Sequence, residues 1–106
     1  MTVMERIKGE LDAHPLVLFM KGTPDVPMCG NSASAVAALR EAGALSLYTI
    51  NVLADPEIRA ALPRYSHWPT FPQLFVQGEL IGGDEIVCEL AASGELGRII
   101  VEATQA

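Results

Sequence analysis

The sequence predicts an α/β domain built on a four-stranded mixed sheet with helices on both faces. Apolar or β-branched runs at 16–20 and 47–52 are separated by a helical segment, which is typical of parallel strands joined by a crossover helix. Residues 73–81 resemble a β-hairpin around a tight Gln-Gly turn. Because no repeat, low-complexity tract or linker is visible, we expect one domain over residues 1–106.

The first helix begins at a capping box, in which Glu5 follows Thr2 by three positions. Apolar residues then recur every four positions to about Ala13, and the following Pro15 ends the helix. The continuous apolar run at 16–20 comes next, and it is the pattern of a strand that is covered on both faces.

Alanine-rich residues from Ser32 to Ala42 predict the second helix, and Gly43 supplies its C-terminal stop. The run at 47–52 combines β-branched and aromatic residues and is the second predicted strand. Asp55-Pro56 pairs an N-cap acid with a proline at the first helical position, so a third helix starts there and reaches about Leu62.

The hairpin strands are predicted at 73–76 and 79–81. After the Gly-Gly break that follows, Asp84 is expected to cap another helix. Gly94 interrupts this helix before a last helical stretch at 95–104.

Charge and composition restrict the class of protein. Thirteen acidic residues against seven basic ones give a net charge of −6, which argues against nucleic acid or an anionic membrane as the main partner. No apolar stretch is long enough for a membrane span, and the N-terminus lacks the apolar core of a secretory signal. With only two cysteines, we expect a reducing, cytoplasmic setting.

Cys29 lies between a predicted strand and a predicted helix. A thiol at this place meets unpaired backbone N–H groups and the positive end of the helix dipole, and nearby Lys21 adds a positive charge. All three favour the thiolate. Ser32 occupies the position where a C-x-x-C motif would have its second cysteine, so the expected thiolate has no resolving partner in the usual place.

Four motifs follow one another along the chain: Lys21-Gly22-Thr23-Pro24, Pro27-x-Cys29-Gly30-x-Ser32, Trp68-Pro69-Thr70-Phe71-Pro72-Gln73-Leu74 and Gly78-Glu79-Leu80-Ile81-Gly82-Gly83. In this order and spacing they resemble the monothiol glutaredoxins over nearly the whole chain. The loop from Lys21 to Cys29 is longer than in the dithiol members, which favours the monothiol branch. The resemblance implies a thioredoxin-like fold with an extra N-terminal helix.

The resemblance also implies cofactors and partners. Cys29 would be the active thiolate and, in a cluster-bound state, an iron ligand. Family members hold one [2Fe-2S] cluster between two protomers, with two protein cysteines and two glutathione thiols as ligands. The implied partners are glutathione, a second copy of the chain, apo-proteins that receive a cluster, and BolA-type proteins.

Five further residues correspond to the family's glutathione site. Lys21 and Arg59 would hold a carboxylate of glutathione. Phe71 would pair its backbone with the cysteinyl part of the tripeptide. Asp84 and Glu85, at a helix N-terminus, would receive the γ-glutamyl end. Because glutathione is anionic, cations at one end and backbone donors at the other suit it chemically.

Three positions depart from the family pattern. Asn31 replaces the usual Phe, which is relevant to how well a cluster is shielded from water. Asp84 stands where a cysteine is common, so any disulfide from that position to Cys29 is lost. Glu85 replaces an Asp. These two acids would raise the pKa of Cys29, in opposition to the helix dipole.

Six other residues have simpler interpretations. Cys88 lies among apolar neighbours and is expected to be a packed, inert thiol. Ser32 is interpreted as a helix-start residue and nothing more. The resemblance implies a cis bond before Pro72, and Trp68 is expected to pack and order the loop ahead of it. The two histidines lack metal-ligand spacing and are expected at the surface or at helix ends.

The leading hypothesis is an iron–sulfur carrier, a dimer that holds a glutathione-ligated [2Fe-2S] cluster and passes it to apo-proteins. A second hypothesis is a weak glutathione-dependent oxidoreductase, in which Cys29 removes glutathione from mixed disulfides and glutathione resolves the product. A third is a binding module that regulates a partner through its cluster state. The long loop before Cys29 favours the carrier, and Asn31 keeps the alternatives open.

Overall fold

The computed structural model describes residues 1–105, and the predicted alternation of helices and strands is present. In chain order the elements are α1 Val3–Ala13, β1 Leu16–Met20, α2 Gly30–Glu41, β2 Tyr48–Asn51, α3 Pro56–Ser66, β3 Gln73–Val76, β4 Glu79–Gly82, α4 Asp84–Ser93 and α5 Glu95–Thr104. The strands form one four-stranded sheet in the order β2-β1-β3-β4. β1 runs parallel to β2 and antiparallel to β3, so the mixed sheet is confirmed.

β1 carries the core on both sides of the sheet, as its unbroken apolar run predicted. Leu16, Leu18 and Met20 are fully buried against α2, α4 and α5. Val17 and Phe19 alternate with them and are fully buried against α1 and α3. Because strand side chains alternate between faces, one five-residue strand anchors both helical layers.

Two helices extend beyond their predicted limits. α2 begins at Gly30, two residues before the predicted start, because the Cys29 side chain caps it by accepting the backbone N–H of Ser32. α3 continues across Pro63 to Ser66, although a proline usually ends the helix before it. Tyr65, beyond this proline, packs against the same core cluster as the buried first half of the helix, so burial outweighs the local preference.

The expected role of Asp84 as a helix cap is wrong. The N-cap of α4 is Gly83, which supplies no side-chain hydrogen bond, and Asp84 and Glu85 are the first two helical residues. As predicted, Gly94 separates α4 from α5, and its φ is 83°. None of the helices within residues 1–105 is long and apolar enough to cross a membrane.

Candidate functional site

The candidate site lies at one edge of the sheet, where two strands end and a third begins. Met20, the last residue of β1, is opposite Asn51, the last residue of β2. On the other side, Phe19 of β1 is opposite Gln73, the first residue of β3. The loops that follow β1 and precede β3 therefore meet at this edge, and they carry three of the six predicted site residues, Lys21, Cys29 and Phe71.

The long loop between Lys21 and Cys29 is held by hydrogen bonds. The Gly22 N–H donates to Asn51 Oδ1 (2.9 Å), and the Met28 N–H donates to the Lys21 carbonyl (2.8 Å). At the tip, Thr23 and Val26 exchange backbone hydrogen bonds of 3.1 Å. The loop therefore has a defined shape, and it delivers Cys29 to the start of α2.

Ser32 is a residue of the candidate site that sequence reasoning missed. It is fully buried, and its Oγ lies 3.2 Å from Cys29 Sγ while it accepts the backbone N–H of Lys21 (3.1 Å). Because the Ser32 oxygen is already an acceptor, its hydroxyl proton is free to point at a Cys29 thiolate. The interpretation of Ser32 as a helix-start residue and nothing more is therefore wrong.

The pKa of Cys29 is lowered from its ordinary value. Burial is the largest single influence and raises this pKa, but four other contacts together outweigh it. They are the hydroxyl and the backbone N–H of Ser32, the charge of Lys21 and the backbone N–H of Asn31. The acids Asp84 and Glu85, which we expected to oppose them, are not among the groups of the described chain that shift it.

The first of two adjoining clefts has a volume of about 430 Å³ and contains Lys21, Arg59 and Phe71. Within residues 1–105 neither Lys21 nor Arg59 makes an ion pair, whereas Arg6, Lys8 and Arg40 all do. Two uncompensated cations in one cleft favour an anionic ligand there.

The second cleft, of about 340 Å³, lies at the N-terminus of α4 and contains Asp84 and Glu85. The uncapped N-terminus of α4 leaves backbone N–H groups available to a ligand. Asn31 and Thr70 border both clefts, so the two clefts adjoin and together form a groove. Cys29 lines neither cleft and lies two residues before Asn31, as the N-cap of α2. The two clefts thus bring together Lys21, Arg59, Phe71, Asp84 and Glu85, the five residues that the resemblance assigns to one ligand. Thr70 belonged to a quoted motif but was not singled out.

Cys88 does not occupy the packed position that we predicted. It is exposed and borders a cleft between α2 and α4 with small residues of both helices, whereas the adjacent Val87 is 1% exposed. Consecutive helical residues point about 100° apart, so the apolar neighbours in sequence did not place Cys88 in the core. The prediction that Cys88 is a packed thiol is wrong.

Two further predictions near the site are confirmed, the cis bond before Pro72 and the place of the histidines at helix ends. The Phe71-Pro72 peptide bond is cis. Trp68 is half-buried and forms part of the wall of the second cleft. His14 and His67 are helix C-caps, and within residues 1–105 no cluster of three or more His, Cys, Asp or Glu could hold a metal ion.

Glutaredoxins of known structure share this arrangement. Reduced apo GrxS14 from poplar matches with a TM-score of 0.79 and 39% sequence identity, covering 93% of this chain and 90% of that one. A buckwheat glutaredoxin–glutathione complex matches with a TM-score of 0.82 and 26% identity, covering 95% and 89%. The fold is thioredoxin-like, as predicted, and the site defines a thiol protein with one cysteine at the start of α2.

Sequence comparison identifies the family. The glutaredoxin family model matches residues 16–81. Glutaredoxin 4 of Escherichia coli (strain K12) is 48% identical over 101 residues, which cover 95% of this chain and 87% of that protein. Monothiol glutaredoxin-S11 of Oryza sativa subsp. japonica is 50% identical over 98 residues, which cover 92% of this chain and 20% of that longer protein. The chain belongs to the glutaredoxin family, and within it to the monothiol branch.

Proposed function

We propose that this monothiol glutaredoxin is an iron–sulfur carrier. Two copies hold one [2Fe-2S] cluster as cargo, with two glutathione molecules, and pass it to apo-proteins. The observation that carries the proposal is the place of Cys29, whose pKa is lowered and which lies two residues before Asn31, a residue that borders both the cationic and the acidic cleft. The cytoplasm is the proposed setting.

Glutathione fits the groove by charge. Its carboxylate suits the unpaired cations Lys21 and Arg59 in the first cleft. The α-ammonium group of its γ-glutamyl end suits the carboxylates of Asp84 and Glu85, and the adjacent carboxylate suits the free N–H groups of α4. The tripeptide would run past Phe71 and Asn31, which brings its thiol near Cys29. The buckwheat complex, a glutaredoxin bound to glutathione, supports this assignment.

The ligand count supports a dimer. A [2Fe-2S] cluster takes four thiolates. The groove side of the chain offers one, because Cys88 lies in the separate cleft between α2 and α4. Two glutathione thiols and the Cys29 of a second protomer complete the set.

The surface around Cys29 supports contact with other proteins. Val26 and Met28, in the ordered loop just before Cys29, are each 62% exposed. Apolar side chains beside the cargo would be covered by the second protomer in the carrier, or by an acceptor during transfer. The proposed partners are apo iron–sulfur proteins and BolA-type proteins.

Anaerobic reconstitution with iron, sulfide and glutathione tests the proposal. Wild type and Cys88→Ser should both become coloured, with visible absorption and circular dichroism of a [2Fe-2S] cluster, whereas Cys29→Ser should stay colourless. The two cysteine variants are matched controls for each other. A cluster retained by Cys29→Ser, or lost by Cys88→Ser, contradicts the assignment of the iron ligand.

A second function, removal of glutathione from mixed disulfides, is favoured by the lowered pKa of Cys29. The Cys29 thiolate would attack the glutathione sulfur, forming a Cys29–glutathione disulfide and releasing the client as a thiolate. A glutathione thiolate would then attack the sulfur of the bound glutathione, releasing oxidised glutathione and regenerating the Cys29 thiolate. Turnover of a glutathionylated peptide by apo-protein, absent in Cys29→Ser, would support this activity.

A further inference from the structure

The core within residues 1–105 contains two fully buried polar side chains, Ser32 and Gln73. A buried polar group costs free energy unless its hydrogen bonds are made, so each one needs an explanation. Ser32 contacts Cys29 and Lys21, as described above. Gln73 makes its hydrogen bonds elsewhere, to Trp68 and Thr70.

The Gln73 side chain holds the loop that precedes β3. Its Nε2 donates to the carbonyl oxygens of Trp68 (2.9 Å) and Thr70 (3.1 Å), using both amide protons. Its Oε1 is buried and has no hydrogen-bond partner within the described chain. An apolar residue would avoid this unpaired oxygen but would leave two loop carbonyls without their donor, so the bonds to the loop are what the amide provides.

The loop that Gln73 holds is the shared wall of both clefts. Thr70 borders the two clefts, Phe71 borders only the first, and Trp68 borders only the second. Gln73 itself borders neither, because it is completely covered. Its effect on a ligand is therefore exerted through the loop.

We infer that Gln73 is the positioning residue of the glutathione site, which sets the two clefts at the spacing that one tripeptide requires. The inference rests on the proposed function, since it takes glutathione as the ligand. Its geometry can nevertheless be tested without any ligand, because Trp68 is the one tryptophan of the chain and its fluorescence reports on this loop alone.

Gln73→Glu is the informative substitution, because it keeps the shape and makes the hydrogen bond depend on pH. A protonated carboxyl can donate to one of the two carbonyls, whereas an ionised carboxylate can donate to neither and repels both. Burial raises the pKa of such a carboxyl above its ordinary value of about 4.3, so the change is expected well above that pH.

Trp68 emission and acrylamide quenching are followed from pH 5 to pH 9 in the apo-protein, with far-UV circular dichroism as the check on folding. In Gln73→Glu the quenching should rise with pH, relative to the wild-type profile. The wild type is the baseline because the titratable residues His67, Asp84 and Glu85 lie near Trp68 in both proteins, so their effect on the fluorescence is common to the two profiles. Gln73→Met, which lacks a donor at any pH, should show the raised quenching throughout and carries the test if Gln73→Glu unfolds.

Glutathione affinity is measured on the same proteins by calorimetry. Gln73→Met should bind glutathione about tenfold more weakly than wild type. The pH dependence of Cys29 alkylation should not change, since Gln73 is not among the groups that shift the pKa of Cys29. A role in stability alone would leave the affinity of the folded protein unaltered.

Gln77→Glu is the matched control. Gln77 also donates its Nε2 to a backbone carbonyl, that of Ala103 (3.3 Å), but this bond lies outside both clefts. Gln77→Glu should therefore leave Trp68 quenching and glutathione affinity at wild-type values.

Unchanged Trp68 quenching in both Gln73 variants overturns the inference, and so does altered quenching with unaltered glutathione affinity. A wild type that binds no glutathione instead refutes the proposed function and the choice of ligand. In that case the fluorescence still decides whether Gln73 holds the loop.

Discussion

Ser32 Oγ lies 3.2 Å from Cys29 Sγ, and the backbone N–H of Ser32 donates to the same sulfur over 3.4 Å. Ser32, in the first turn of α2, thus makes two hydrogen bonds to the Cys29 sulfur. Because Ser32 is fully buried and Cys29 only half-buried, the hydrogen bonds come from the protein interior and Cys29 remains partly accessible. Ser32, which stands where a second cysteine would usually be, therefore stabilises the thiolate of Cys29.

Ser32→Ala should raise the pKa of Cys29. It removes the largest of the influences that lower this pKa, so it should have a greater effect than Lys21→Met. A lowered pKa means that more of Cys29 is thiolate at a given pH, and loss of the hydrogen bond from Ser32 should reduce that fraction. Iodoacetamide alkylation of Cys29 at pH 7 should slow by roughly tenfold, as a hydrogen bond to a charged group implies. The measurement uses a Cys88→Ser background, and an unchanged pH profile would refute the assigned role of Ser32.

Arg59→Ala should weaken glutathione binding without altering the pKa of Cys29. An exposed ion pair is worth up to about 1 kcal/mol, so the dissociation constant should rise about two- to fivefold at low salt and less at high salt. Arg98→Ala is the matched control, because Arg98 also makes no ion pair within residues 1–105 and lies in a different cleft. Equal effects of the two substitutions, measured by calorimetry, would argue against a carboxylate site at Arg59.

Gly22→Ala should destabilise the loop before Cys29. Gly22 has a φ of +92°, and a Cβ there would lie 2.5 Å from the Val26 carbonyl oxygen and 2.6 Å from the Met28 nitrogen. We expect a loss of about 1–3 kcal/mol or more in urea unfolding. Gly9→Ala, inside α1 with nothing within 4 Å of the new Cβ, should instead stabilise by about 0.5–1 kcal/mol. A neutral Gly22→Ala would mean that the loop has another shape.

Asn31→Phe should lengthen the lifetime of the reconstituted cluster in air. Asn31 is exposed and borders both clefts, so a larger apolar side chain there would cover the cargo from water. The decay of visible absorption should slow several-fold, whereas Asn31→Ala should not slow it. Faster decay in Asn31→Phe would indicate that the amide itself protects the cluster.

The sequence was sufficient for the elements of the fold, because periodicity and turn chemistry act locally. The run at 16–20 required a strand covered on both sides, and Leu18 and Phe19 indeed face opposite layers. The continuation of α3 past Pro63 was not predictable, since it depends on the packing of Tyr65 against a distant part of the chain.

The site was predictable only where a motif marked it. Lys21, Arg59 and Phe71 followed from the resemblance and meet in one cleft. Gln73 belonged to a quoted motif, but its contacts with the loop require three-dimensional proximity, so its role was missed. Cys88 was wrongly predicted to be packed for a related reason, because neighbours in sequence do not determine which way a helical side chain points.

Native mass spectrometry of the reconstituted protein, with and without glutathione during reconstitution, tests the central claim most directly. The account predicts a species of two chains, one [2Fe-2S] cluster and two glutathione molecules, which forms only when glutathione is supplied. A cluster carried by one chain, or one assembled without glutathione, would contradict it.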